Sequence, residues 1–450
     1  MIFLILTWAV TCAGAVLGVL RPFHGILVYI FLSILRPAGL WPGAVPPGNY
    51  TRIVAIAVLV GCLLNFPDSW RFGRAKWILT SFLAFWAWMV VCAFQAPDQD
   101  TAWKVIDAQS KILFPVAIGL ILVESRRQVF QLAWVMVVSQ ATIAFAGHIS
   151  IYVTQTGDWL AEGMGGYDNN DLAAGMVLVC GLAFGLGIAE TVGWRKWLAL
   201  TCAALCVHAA LLSYSRGAML GLLMCGCATA LLVLRERRHH KIVALAVVVA
   251  LSLAGPSVRE RFSLIFEKGK DLAADRSAEN RVEYWNKGLE VMRENPMYGL
   301  GPGGFIVRRS EDGGTTLAAR GAGQVAHSLW IQTGTEQGYP GLLFLIGMYA
   351  VTVFELARLF LRPPPGEIWY REAARPALIG LSGFFVCASF LSIANLEQAY
   401  FMILFAGGLV KLSSRTEMEG SREKSVKISF GGRDQRTFAN VPSIIPQQRG

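Results

Sequence analysis

The sequence has little charge for its length. Asp, Glu, Lys and Arg make up only 16% of its 450 residues, whereas 54% of the residues are hydrophobic. An ordinary soluble domain contains about 25% charged residues, and a soluble chain of this length would form two or three cores whose surfaces need polar cover. The composition excludes that arrangement and predicts a polytopic membrane protein.

Disulfide, metal and cofactor motifs are also missing. All nine cysteines lie in apolar runs, and neither a CxxC pair nor a His/Cys spacing typical of zinc sites occurs. The Walker A, Rossmann, HExxH and GxSxG motifs are absent as well. The predicted cytoplasmic segments are too short for a nucleotide-binding domain. We therefore expect neither a metal ion nor another cofactor.

Long apolar runs dominate what is present. A helix needs about 20 mostly apolar residues to cross a bilayer, and thirteen runs reach or approach that length. Two of these runs are short, so we predict 12 or 13 transmembrane helices in an all-α protein. The runs are 2–20, 23–40, 51–66, 77–94, 110–123, 129–150, 172–190, 196–213, 217–234, 241–255, 339–360, 376–394 and 397–412.

Basic residues are distributed unequally between alternate loops. One set of loops contains sixteen Lys and Arg residues, and the short loops of the other set contain only five. Cytoplasmic loops are the basic ones, so the first set is predicted to be cytoplasmic, with the C-terminus inside and Met1 outside if all thirteen runs span. The net charge of +10 follows partly from this bias, and no basic, aromatic-interleaved soluble face indicates nucleic-acid binding.

Charged residues are concentrated in one segment: residues 256–326 contain 21 of the 70 in the chain. The alternation of loops places this segment on the extracytoplasmic side, and a loop of this size is usually functional. We predict four parts of the chain. They are an N-terminal bundle of about ten spans (1–255), an extracytoplasmic loop with amphipathic helices (256–338), C-terminal transmembrane helices (339–412) and a disordered cytoplasmic tail (413–450).

An amphipathic helix is predicted within the extracytoplasmic loop, over residues 277–295. Ser277 can cap its start, and Asn295-Pro296 can end it. Its predicted buried face consists of apolar residues at helical spacing: Val282, Trp285, Leu289 and Met292.

Two arginines on the predicted extracytoplasmic side are candidates for an anion site. Arg216 lies in a tight turn between two spans, where a charged residue generally faces a cavity or an anionic partner, although a helix-end arginine can also snorkel to the interface. Arg281 lies one helical turn before Trp285, and its guanidinium group suits bidentate contact with phosphate. A solvated arginine paired with Glu279 or Glu283 is the alternative.

His327 is the one histidine in the extracytoplasmic loop, at its junction with a helix. An imidazole of ordinary pKa near 6.5 can act there as a general base or as a hydrogen-bond donor, and a helix-capping histidine is the alternative. Tyr214, Trp285 and Gln332 are the candidate substrate-binding residues beside these groups. The Asp168-Asn169-Asn170-Asp171 stretch lacks spaced partners for a metal and is predicted to be a loop and helix cap.

The order of these motifs resembles that of the O-antigen ligase / O-antigen polymerase superfamily of bacterial inner-membrane glycosyltransferases. A Ser-Arg-Gly turn is followed by Arg281-x-x-x-Trp285, a Pro-Met-Tyr-Gly-Leu-Gly-Pro-Gly-Gly-Phe turn and Ala326-His327-Ser328. The helix after His327 then continues with Glu336-Gln337-Gly338-Tyr339-Pro340. Ser328 departs from the asparagine that often follows the histidine in this family. The N-terminal stretches Arg-Pro-Phe-His-Gly and Asn-Phe-Pro are similar to those of exosortase-A-associated O-glycosylation ligases.

The resemblance implies a GT-C-like, metal-independent, inverting glycosyltransferase in the bacterial inner membrane, with its active site facing the periplasm. Its donor would be a glycan linked to undecaprenyl diphosphate, and its acceptor would be a hydroxyl group of a lipid, glycan or protein, with membrane lipids around both. In this family pattern Arg216 and Arg281 would bind the donor diphosphate, and His327 would accept the proton of the acceptor hydroxyl.

Two other functions stay open at this stage. A polymerase of polysaccharide repeat units would share the donor chemistry and differ only in its acceptor. A flippase or transporter of lipid-linked glycans would instead show broken helices and paired charges near the bilayer midplane, and the sequence shows little of this pattern.

Overall fold

The computed structural model describes residues 1–65, 70–155, 157–233, 272–309, 315–318 and 323–431. The predicted span at 241–255 lies outside the described residues, as do the first residues of the predicted extracytoplasmic loop. Within the described ranges, fifteen α-helices and one two-stranded hairpin account for the regular structure, apart from a short π-helical turn at Ser150–Thr154.

The helices follow the apolar runs of the sequence, and each of the twelve predicted runs that the structure describes overlaps helical residues. The run 23–40 is interrupted at Arg36, and the run 376–394 extends past Phe390, where its helix ends. The elements are α1 Ile2–Leu20, α2 Pro22–Leu35, α3 Pro37–Leu40, α4 Tyr50–Leu64, α5 Ala75–Gln95, α6 Gln99–Leu122, α7 Arg126–Ile149, α8 Trp159–Glu162, α9 Asn169–Ala189, α10 Gly193–Leu212, α11 Arg216–Leu232, α12 Leu272–Glu294, β1 Val307–Arg309, β2 Thr315–Leu317, α13 Leu329–Leu361, α14 Trp369–Phe390 and α15 Glu397–Gly431.

The all-α polytopic membrane architecture is confirmed. In the described ranges nine helical segments are long and apolar enough to cross a bilayer, and α4 and α11 are shorter apolar helices. Helices cross closely where they present small residues. At the crossing of α9 and α14, a Cβ atom on Gly380 would lie 2.3 Å from the carbonyl oxygen of Leu178. This packing fixes the helices that support the polar end described below.

The predicted boundary between the loop and the C-terminal helices coincides with a break in α13. The helix already begins at Leu329, but Gly338 has φ 67° and ψ −174°, so its first nine residues form a separate segment. The peptide groups freed by this break bond to the turn after α12: Leu300 N–H donates to Thr335 O at 2.9 Å, and Tyr339 N–H donates to Pro296 O at 2.8 Å. The break therefore connects the segment around α12 to the bundle without leaving these backbone groups unpaired.

The prediction of a disordered tail from residue 413 needs correction, because α15 continues to Gly431. Side chains just beyond the predicted end contact the bundle: the Arg74 guanidinium forms ion pairs with Glu355 (3.1 Å) and Glu417. Ser413 and Ser414 also hydrogen-bond to Arg74. The polar residues that suggested disorder instead form these contacts with the bundle. Residues 432–450 lie outside the described part of the chain.

The predicted amphipathic helix exists as α12, but its start and its buried face differ from the prediction. The helix already runs from Leu272, and Val282 and Leu289 are 53% and 38% exposed. Met292 is buried as predicted, and Trp285 is half-buried. Tyr284 and Val291 are buried as well, in a small core with residues of β1 and the loop before α13. The sequence offers apolar residues on two neighbouring faces of this helix, and the contacts with the Gly/Pro turn and the hairpin select one of them.

The unequal distribution of basic residues predicts opposite sides for two loops flanking α13. Alkaline phosphatase folds only outside the cytoplasm, so its insertion at Thr316 in the hairpin should give an active fusion. Insertion after Gly366, between α13 and α14, should give an inactive fusion present in comparable amount. An inactive Thr316 fusion beside an active Gly366 fusion would reverse the predicted orientation.

Candidate functional site

A tight turn between α10 and α11 places Tyr214 and Arg216 at one end of the bundle. Ser213 Oγ accepts a hydrogen bond from Ser215 N–H at 3.2 Å, and Ser215 caps α11 through Ala218 N–H. Both serines are buried, whereas Tyr214 and Arg216 are half-buried. The turn therefore fixes its backbone internally and leaves its two large polar side chains at the surface of the site.

The start of α9 holds this turn in place. Asn169 Nδ2 donates to Ser213 O at 2.9 Å, and Ser215 Oγ donates to Asn170 Oδ1 at 2.7 Å. Asp168 is the N-cap predicted from the sequence and accepts from Asp171 N–H at 2.7 Å. The cap segment Asp168–Asp171 thus positions the arginine turn in addition to capping α9.

Helix α12 brings Arg281 and Trp285 to the same end of the bundle. The indole N–H of Trp285 donates to Ala326 O at 2.9 Å, and its ring lies 6.3 Å from that of Phe390 at the end of α14. One turn earlier on the helix, Arg281 Nε is buried and has no hydrogen-bond partner among the described residues. A buried guanidinium N–H without an acceptor is costly, so an anionic ligand that reached this atom would be stabilised by it.

His327 occupies a strained turn just before α13. Its φ of 49° lies in the left-handed region, which non-glycine residues rarely adopt outside constrained sites. Tyr214 shares this feature with a φ of 54°. The imidazole Nε2 lies 3.4 Å from Gln324 Oε1, and the ring is only half-buried. Two of the site's residues are therefore held in uncommon backbone conformations by the surrounding contacts.

Gln332, a predicted substrate-binding residue, uses its amide group within the protein. Its Oε1 accepts from Ala326 N–H at 2.9 Å, and its Nε2 donates to Phe305 O at 3.1 Å and to Glu336. The side chain is buried. The geometry therefore favours a positioning role, in which Gln332 ties the His327 turn to α13 and to the Gly/Pro turn.

Electrostatic interactions indicate that the side chains of Arg216, Arg281 and His327 lie near one another. Burial lowers the pKa of Arg281, and the charge of Arg216 lowers it further. Burial also lowers the pKa of His327, the charge of Arg281 adds to this effect, and Asp168 opposes it. The three residues that the sequence singled out are thus brought together from three elements, close enough for the charges of the arginines to act on one another and on His327.

This arrangement can bind an anion and accept a proton. Two guanidinium groups that disfavour each other's charge are stabilised by an anionic ligand between them. The lowered pKa keeps His327 neutral near pH 7, as a general base requires. Among the described residues, no group of three or more His, Cys, Asp or Glu side chains is arranged to hold a metal ion.

One polar cluster beside this site was not predicted. Arg36, at the end of α2, forms an ion pair with Glu397 at 3.2 Å and lies 3.5 Å above the ring of Tyr167. These residues are far apart in the chain, so no spacing rule indicates their contact. The one available signal is the cost of a charged residue at each of two apolar helix ends.

Two family models match the chain. One, described as O-Antigen ligase, matches residues 201–346, which include Arg216, Arg281 and His327. The other, described as a family of unknown function (DUF5935), matches residues 1–181. No curated protein matches the chain.

The hydrogen bonds of Gln332 predict a stabilising role for its amide group. Replacement by leucine should leave the Ala326 N–H and the Phe305 carbonyl buried without partners, at a cost of about 1–3 kcal/mol for each group. Thermal unfolding of the purified protein should therefore occur at a clearly lower temperature. Gln337→Leu is the matched control, because Gln337 is equally buried on α13 but its Oε1 has no hydrogen-bond partner. Equal unfolding temperatures for the two variants would contradict this role.

Proposed function

The chain belongs to the O-antigen ligase superfamily, and from this premise we propose that it transfers a glycan from undecaprenyl diphosphate to a hydroxyl acceptor. The reaction takes place on the extracytoplasmic face of the bacterial inner membrane, by an inverting and metal-independent mechanism on a GT-C-like scaffold. The acceptor hydroxyl belongs to a lipid, a polysaccharide or a protein.

The convergence of Arg216, Arg281 and His327 is the observation that carries this proposal. A lipid-linked diphosphate keeps its tail in the bilayer and its charge at the interface, where the two arginines lie at the end of the bundle. The unbonded Nε of Arg281 offers a donor to a phosphate oxygen. The anion in turn offsets the burial and the charge of Arg216, which together lower the pKa of Arg281.

The chemical step follows from these positions. The acceptor oxygen attacks the anomeric carbon as its proton passes to neutral His327, and the bond between the anomeric carbon and the diphosphate oxygen breaks on the opposite face. The bonding electrons stay with the diphosphate, whose growing negative charge is stabilised by the two preorganised guanidinium groups. Since these cations supply the charge stabilisation, the proposed step needs no metal ion. Attack opposite to the leaving group inverts the configuration of the sugar.

The remaining site residues have separate roles in the proposal. Tyr214 and Trp285 border the arginines and provide hydrogen-bonding and aromatic surface for the substrate. Gln332 positions the His327 turn, as its hydrogen bonds indicate. Asp168 faces His327 closely enough to stabilise the imidazolium formed when the proton is accepted.

A polymerase acts on the same donor with a second lipid-linked repeat as its acceptor, so the residues above serve both reactions equally. A transporter is less well supported, because the charged groups of this site gather at the ends of helices instead of at paired breaks near the midplane. Incubating the purified protein with a glycan-bearing undecaprenyl diphosphate and candidate acceptors separates these functions. Transfer with release of undecaprenyl diphosphate supports the enzyme, whereas movement of the glycan lipid across vesicles without transfer supports the transporter.

In this assay the arginines should be needed in the transition state. Arg216→Ala and Arg281→Ala should each lower the transfer rate by about 10²- to 10³-fold, the scale of one preorganised donor to a developing oxyanion. Arg281→Lys should also be impaired, since lysine keeps the charge and loses the planar fork. Arg293→Ala changes an exposed arginine on the same helix and should leave the rate unchanged. Full activity of both alanine variants at the site would refute the diphosphate assignment.

His327 should determine the acid limb of the rate profile. Only neutral imidazole accepts a proton, and the folded pKa of His327 is lowered below 6.5 by burial and by Arg281. The rate should therefore be maintained at neutral pH and fall only as the pH drops through that lowered value. His327→Gln should lose about 10²- to 10⁴-fold in rate while still binding undecaprenyl diphosphate.

Arg281→Gln gives a second test of the same assignment. Removal of the positive charge should raise the pKa of His327, so the acid limb of the residual activity should move to higher pH. A rate that rises on acidification, or a His327→Gln enzyme close to the wild-type rate, would leave His327 as a binding residue and not as the base.

A further inference from the structure

A cavity of about 520 Å³ lies beside the diphosphate site and has no role in the chemistry proposed above. Its walls come from α2, the α3–α4 connection, α6, the loop before α9 and the segment between α14 and α15. A volume in this range matches that of ligand-binding pockets. The cavity is therefore large enough for more than ordered water.

The charges around this cavity already balance one another. Arg36 pairs with Glu397, donates to Gly165 O at 3.0 Å and lies over the ring of Tyr167. Lys111 pairs with Asp107 at 3.0 Å. A phosphate group would have to compete with these internal partners for either cation, whereas Arg281 Nε has no hydrogen-bond partner among the described residues. The cavity thus suits a ligand that is polar but largely neutral.

The lining supplies the groups that recognise a carbohydrate. The Glu397 and Asp171 carboxylates can accept hydrogen bonds from sugar hydroxyls. Tyr50 and Ser392 also line the cavity. The Ser392 hydroxyl is buried, and it has no hydrogen-bond partner among the described residues. A buried hydroxyl of this kind costs free energy until a ligand pairs with it.

The cavity and the diphosphate site share one wall, the cap segment Asp168–Asp171. Asp171 lines the cavity, whereas Asn169 and Asn170 hold the arginine turn and Asp168 acts on His327. A glycan whose reacting carbon or hydroxyl lies at His327 therefore has the cavity directly beside it. Every cavity residue lies in 1–181 or after 346, outside the part that contains Arg216, Arg281 and His327.

We propose that this cavity binds sugar units of the glycan that reacts at His327, and that it selects among glycans. This inference rests on the proposed function, because it assumes a glycan at the neighbouring site. The bound sugars belong either to the donor or to a glycan acceptor, since the hydroxyl and aromatic chemistry of recognition is the same for both.

Equilibrium binding to the purified full-length protein in nanodiscs tests the proposal. The probes are undecaprenyl diphosphate and the glycan-bearing undecaprenyl diphosphate extracted from cells that make the protein. Ala108→Trp fills the cavity from α6, and Ser392→Ala removes the unpaired hydroxyl. If the donor glycan occupies the cavity, Ala108→Trp should weaken binding of the glycan-bearing lipid at least tenfold. Ser392→Ala should weaken it by about twofold to tenfold, the value of one hydrogen bond.

Undecaprenyl diphosphate without glycan should bind both variants as it binds the wild type, which also shows that they are folded. Ser382→Ala is the matched control, because Ser382 Oγ donates to Ile379 O within α14 and does not line the cavity. If an acceptor glycan occupies the cavity, donor binding stays unchanged, and KM for the acceptor rises in both variants.

Unchanged donor affinity together with unchanged acceptor KM in Ala108→Trp and Ser392→Ala would overturn the inference. That result differs from a failure of the proposed function, in which wild-type protein would bind neither lipid and Arg281→Ala would make no difference.

Discussion

The repulsion between Arg216 and Arg281 is the constraint on which this end of the molecule depends. Two part-buried guanidinium groups cannot be held near each other without cost. Burial and the charge of Arg216 lower the pKa of Arg281, and burial and the charge of Arg281 lower the pKa of His327. The scaffold maintains the arrangement through contacts of other residues: the serine turn bonded to α9, the Trp285 indole on Ala326 and the Gln332 amide bridging three backbone or side-chain groups. In the proposed function, the two guanidinium groups would bind the diphosphate and the neutral form of His327 would accept the proton.

The packing of the apolar helices fixes the positions of these polar groups. Helices α9 and α14 approach closely at Gly380, and their ends present the cap segment Asp168–Asp171 and Phe390 to the site. At the break at Gly338, two backbone groups hydrogen-bond to the turn after α12, and these bonds connect α12 to α13. A substitution at the α9–α14 crossing or at the Gly338 break would therefore shift Arg216, Arg281 or His327, although the substituted residue contacts none of them.

The membrane helices and the candidate site residues could be predicted from the sequence, whereas the tertiary contacts between side chains could not. The apolar runs predicted the helices because burial in lipid depends on composition, and Arg216, Arg281 and His327 were found because charged or titratable groups at membrane boundaries are rarely incidental. The buried face of α12 was predicted only in part: Met292 is buried, but Val282 is exposed and Tyr284 is buried, because both offer apolar surface and only tertiary contacts choose between them. The helical extension of α15 forms an ion pair with Arg74, and Arg36 forms an ion pair with Glu397. The partners are far apart in the chain, so no local sequence pattern predicts either contact.

The two proposed sites differ in charge. The site proposed for the diphosphate contains Arg216, Arg281 and His327, which lie within the part matched by the O-antigen ligase model. The cavity proposed for sugars has internally paired charges and is built mainly from residues 1–181, matched by a different model. If these proposals hold, the residues for bond breaking and those for glycan selection could change independently, and the cap segment Asp168–Asp171 would connect the two sites. The choice among acceptors and glycans would then lie with the N-terminal half, and the chemistry with the segment from Arg216 to His327.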